Sequence, residues 1–176
     1  MNRFELGADE ILAMAEEVER NGRDFYLAAA DCAPEEEARQ LFSQLAEWEE
    51  KHESMFISMR AGLKSEEKTL ELFEAGSEQE LFLRAVASAN IFKADTDAAD
   101  TVRQLDSVNA VLDHAMAMER EAILFFAGLR AVVPENKGKA KIDELLKEEI
   151  SHVAILKKQI SRLSDMQSAQ IDLKGS

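Results

Sequence analysis

The sequence predicts an all-α protein, a four-helix bundle built from two helical hairpins joined by a long crossover. Three observations carry this. With two prolines and seven glycines in 176 residues, long stretches run without a breaker, and the strong helix formers Ala, Leu, Glu and Met fill them. Within those stretches apolar residues recur at three- and four-residue spacing, the period of an amphipathic helix. The chain also repeats itself at a shift of 100 residues.

Residues 8–30, ADEILAMAEEVERNGRDFYLAAA, place Ile11, Leu12, Ala15, Val18 and Phe25 on one helical face. A short turn follows at residues 31–35, where Pro34 and the acids after it suit the start of a new helix. The second helix is expected over about residues 36–59, with Leu41, Phe42, Leu45, Trp48, Met55 and Phe56 inward and Gly62 at its end. Residues 63–106 are less regular and read as the crossover; LFLRAVASANIF (81–92) is a short amphipathic helix within it, followed by the polar run KADTDAAD. A third helix is expected over about 107–132, a turn at VPENKGK, and a fourth helix over about 139–163. Residues 8–163 form one domain in this reading, and the polar stretch 164–176 is a frayed tail.

The repeat aligns ERNGRDFY (19–26) with EREAILFF (119–126) and Pro34-Glu35 with Pro134-Glu135. Leu12, Ala15, Arg20, Phe25 and Leu45 find identical partners 100 residues later. So do Glu19, Glu49 and His52, which fall on Glu119, Glu149 and His152.

The net charge of −14 argues against a nucleic-acid partner, because such a surface repels phosphate. Most of the carboxylates read as a solvated helix surface. No window is long and apolar enough for a bilayer span and the N-terminus has no signal-like apolar run, so a cytoplasmic, membrane-free protein is expected. The single cysteine, Cys32, cannot form an intrachain disulfide and reads as a buried or turn residue.

The chemistry lies in EEKH (49–52) and EISH (149–152). A glutamate and a histidine three apart share one helix face, so carboxylate and imidazole can approach one metal or a neighbouring pair. Carboxylate-bridged dimetal bundles take one Glu from each of two helices and Glu-x-x-His from each of the other two. Glu19, Glu119, Glu49–His52 and Glu149–His152 supply that set. Two divalent cations would neutralise four facing carboxylates, and mixed carboxylate–imidazole ligation suits iron, manganese or zinc. Glu-x-x-His is cheap in a glutamate-rich chain, and it is the matched pair that raises it above composition. His114 has Val111 three places before it and reads as structural or exposed. Tyr26, seven after Glu19, is a candidate for hydrogen-bonding a ligand, with a core tyrosine as the alternative. Glu16 reads as a solvated acid, and Trp48, Met116 and Met118 as packing around the site.

EEVERNGRDFYLAAA, EWEEKHESMF, AMEREAILFF and KEEISHVAIL resemble the four helix motifs of the rubrerythrin-like branch of the ferritin-like superfamily, over about residues 8–163. The resemblance implies two iron ions, Glu49 and Glu149 bridging, Glu19 and Glu119 terminal, and His52 and His152 each on one ion. It implies reduction of hydrogen peroxide to water, or oxidation of ferrous iron by peroxide or dioxygen. Ferritin-like bundles often pair through helix faces, which leaves a homodimer open. Two departures stand out. Rubrerythrins carry a rubredoxin-like domain with paired Cys-x-x-Cys motifs; one cysteine cannot build it, so electrons would come from a separate donor such as a rubredoxin. An extra carboxylate that rubrerythrins place one turn after the second single-Glu ligand is Ala122 here, and its first-half counterpart is Gly22. A metal-binding protein without turnover, and a helical interaction module with a structural or vestigial site, are the alternative readings.

Overall fold

The computed structural model describes residues 7–64, 78, 81–83, 85 and 97–174, with side chains as far as 165. Helix α1 spans Ala8–Cys32 and α2 spans Glu36–Ala61. A short α3, Ala98–Gln104, precedes α4, Val108–Val132. A 3₁₀ turn, Glu135–Lys137, then leads into α5, Lys139–Lys174. Helix is the only regular structure among the described residues.

Each pair of long helices is an antiparallel hairpin, α1 against α2 and α4 against α5. The ends follow local chemistry. The Gly7 N–H donates to Glu10 Oε2 (2.9 Å) at the start of α1, and Ser107 Oγ accepts from the Ala110 N–H (3.2 Å) at the start of α4. Gly62 caps α2 in a right-handed conformation rather than the left-handed one common at helix ends. The left-handed glycine is Gly138, at φ 103°, just before α5.

The core is apolar at both ends of the bundle and polar in the middle. Ile11, Leu12, Phe56, Phe126, Leu129 and Ile142 gather toward one end. Phe25, Phe42, Leu45, Leu112 and Leu156 gather toward the other. The Glu and His residues of the repeat lie between the two clusters.

Three expectations need correction. Part of the polar run at 93–100 opens helix α3: Asp97 caps it by accepting from the Ala99 N–H (2.9 Å), and Val102 is buried against the bundle. The last helix does not end near residue 163 but runs on to Lys174, since no proline or glycine interrupts it before Gly175. Cys32, read as a buried or turn residue, is exposed and is the last residue of α1. The amphipathic segment 81–92 lies largely outside the described residues. Its Leu83 is fully buried, and Phe82 lies against Gly128 of α4.

No helix among the described residues is long and apolar enough to cross a membrane.

Candidate metal centre

The helical spacing read from the sequence turns all six residues inward. Glu19 from α1, Glu49 and His52 from α2, Glu119 from α4, and Glu149 and His152 from α5 are all buried, none more than 5 % exposed. They form two overlapping groups able to hold a metal ion. Glu19, Glu49, His52 and Glu149 make one; Glu49, Glu119, Glu149 and His152 make the other.

The two shared carboxylates are splayed between the histidines. Glu149 puts Oε1 2.9 Å from His52 Nδ1 and Oε2 3.2 Å from His152 Nδ1. Glu49 does the same less closely, with Oε2 3.8 Å from His52 Nδ1 and Oε1 3.5 Å from His152 Nδ1. Glu19 approaches only His52 (3.6 Å) and Glu119 only His152 (3.5 Å).

These atoms are near one another but not hydrogen-bonded to one another. Among the described residues, eight buried side-chain polar atoms lack a well-formed hydrogen bond, and seven belong to this cluster: both oxygens of Glu19 and Glu149, Glu49 Oε1, and both histidine Nδ1 atoms. Leaving such groups unpaired costs about 1–3 kcal/mol each. A cation at each focus would satisfy them together, so the residues present fit a pair of metal ions.

Burial and mutual charge set the protonation of the metal-free cluster. Burial drives the Glu19 and Glu119 carboxyls well above the usual carboxylate range, and repulsion from Glu49 adds to this in both. Burial also opposes the charge on Glu149, but contacts with His152 and His52 outweigh it and hold that carboxyl low. Glu49 is likewise lowered, burial being outweighed by contacts with Glu19 and the two histidines. Desolvation disfavours the imidazolium forms, yet the surrounding carboxylates push His52 strongly upward and His152 up to about 12.

Tyr26 is fully buried, and its hydroxyl donates to Glu119 Oε1. Trp48 lies flat on His152. His114 is half-buried beside Phe25, with ring centroids 5.0 Å apart, and joins neither group. Glu16 is not a solvated acid: it is buried and paired with Arg60 Nη1 (3.2 Å), which also holds Asp9.

Sequence reasoning missed Glu53 and Glu148. Glu53 is buried beside His52 and held by Arg20 (2.9 Å) and Arg23. Glu148 Oε2 lies 2.9 Å from His52 Nε2. The His52–Glu148 pairing is between residues 96 apart in sequence on different helices, which no local period reveals.

A cavity of about 10 Å³, room for about one water molecule, adjoins the cluster between α1 and α4. Val18, Glu19, Gly22, Tyr26, Glu49, Met118, Glu119 and Ala122 line it.

Fold and cluster together define a ferritin-like helical protein with a buried carboxylate–histidine centre. The chain belongs to the rubrerythrin family, whose model matches residues 10–160. A crystal structure from Thermotoga maritima, of a protein assigned as a ferritin-like diiron-carboxylate protein, is similar in fold. Its TM-score is 0.66 at 18% identity, over 91% of this chain and 98% of that one. No curated protein matches in sequence.

Proposed function

We propose that the protein is a diiron-carboxylate oxidoreductase that reduces hydrogen peroxide or oxidises ferrous iron with peroxide or dioxygen. The observation that carries this is the set of seven unpaired polar atoms converging on two foci in the buried middle of the bundle. Family membership supports the same reading.

In it, Glu19, Glu49, His52 and Glu149 hold one ion, and Glu49, Glu119, Glu149 and His152 the other. When bound, two ferrous ions supply the two electrons that, with two protons, convert hydrogen peroxide to two waters. The protein's own residues do the rest. The splayed Glu49 and Glu149 would hold both ions, and the apolar clusters at either end keep bulk water out. The Tyr26 hydroxyl fixes the orientation of the Glu119 carboxylate beside the water-sized cavity. That cavity is of a size for a small inorganic molecule beside Glu19 and Glu119.

The test is metal content after growth on iron and anaerobic purification, beside Glu49→Ala and Glu149→Ala, followed by stopped-flow mixing with peroxide and with dioxygen. About two irons per chain, lost in both variants and oxidised rapidly by one oxidant, is expected. Two irons that peroxide and dioxygen leave reduced would favour a binding protein without turnover. A metal-free wild type would sink the reading.

A further inference from the structure

Resting on the dimetal reading, we infer that the two metal positions are unequal. The position of Glu19 and His52 binds its ion first and more tightly, and Glu148 and Tyr26 set the difference.

The ligands themselves obey the 100-residue repeat, so by themselves they would make two equal positions. The groups behind them break it. His52 turns Nδ1 to the centre and Nε2 to Glu148 Oε2, 2.9 Å away. With a metal on Nδ1, Nε2 carries the proton and donates it to that carboxylate, which makes the imidazole a stronger donor. The residue equivalent to Glu148 in the first half is Trp48. It meets His152 with its ring face, centroids 4.9 Å apart and planes 8° from parallel, and offers no acceptor.

The terminal carboxylates differ in the same sense. Glu119 gives one oxygen to the Tyr26 hydroxyl, which draws electron density from it. The equivalent of Tyr26 is Phe126, which has no hydroxyl to offer, and both oxygens of Glu19 are free for a metal. Two independent breaks in the repeat therefore strengthen the donors at one position and weaken them at the other. Glu148 and Tyr26 act through the ligands and are positioning residues.

Anaerobic titration of the metal-free full-length protein with Co(II), followed by calorimetry and visible absorption, tests this. Two resolved steps of one ion each are expected. Glu148 is exposed, its side chain 59% accessible, so Glu148→Ala keeps the fold. It should weaken the first step by about 10–100-fold and leave the second nearly unchanged. Tyr26→Phe should tighten the second step and leave the first alone, bringing the two together. Two ions bound in one step of equal affinity would overturn the inference while sparing the dimetal reading. So would a Glu148→Ala effect spread equally over both steps, as a merely structural role would give. Fewer than two ions bound would overturn both.

Discussion

Trp48 lies parallel to the His152 imidazole, 8° from coplanar stacking and with centroids 4.9 Å apart. It is the chain's one tryptophan, so its emission reports on the surroundings of His152. Loading with a paramagnetic divalent ion is expected to quench most of the fluorescence of the metal-free protein. In His152→Ala the quenching should fall by at least half. Emission that ignores metal would place the bound ions elsewhere.

Metal binding should be strongly pH-dependent. Both histidines have raised pKa values in the metal-free fold, so their charged forms stabilise that fold fully below the ordinary histidine value of about 6.5. This contribution is lost only as pH rises through the raised value, about 12 for His152. Glu19 and Glu119 are also raised, so they too favour the protonated metal-free state. Metal must displace these protons, so affinity rises with pH, about tenfold per unit for each proton released. Calorimetry at pH 7 in buffers of different ionisation enthalpy should show net proton release; zero release would contradict the protonated cluster.

Gly22 faces Glu49, which both candidate groups share, and a Cβ there would sit 3.4 Å from that side chain's Cγ, Cδ and Oε2. This is close to ordinary contact. Gly22→Ala should therefore keep both metals and raise stability by up to about 1 kcal/mol through helix propensity. It should also narrow the small cavity and slow reaction of the reduced centre with oxidant. Metal analysis, thermal melts and stopped-flow traces separate these effects. An unchanged oxidation rate would remove the cavity from the access route.

Gly128 has a different reason to be glycine. A Cβ there would lie 2.7 Å from Phe82 and 3.0 Å from the fully buried Leu83. Gly128→Ala should destabilise by about 1–2 kcal/mol, overpacking outweighing the better helix former. Its repeat partner, Ala28, already carries the methyl group. Urea unfolding checks this, and a gain in stability would mean the crossover yields freely.

The long helices and the six inward-facing residues were legible because both obey local periods: 3.6 residues for the helices and 100 for the repeat. Glu49 and His52 share a face by spacing alone. The end of the last helix was set too early, although no proline or glycine stops it before Gly175; the other misses have no local period. Helix α3 rests on one cap, Asp97, and one buried valine, Val102. Glu16 looked solvated because its partner, Arg60, is 44 residues away on the next helix. Glu148 was overshadowed by Glu149 beside it, since only the packing of α5 on α2 brings it to His52. The repeat helped with shared features and could not rank the differences.

The division of the shared carboxylates has a kinetic meaning. Glu49 belongs to the first hairpin and Glu149 to the second, and each reaches both histidines. An ion held at either focus would thus crosslink the seam between hairpins, and parting of the seam would release it. Each hairpin, rich in contacts between neighbouring segments, can form early, and the binding set is completed only when the two dock. Metal release and separation of the hairpins should therefore share one slow step, and a chelator in large excess would measure how often the bundle opens.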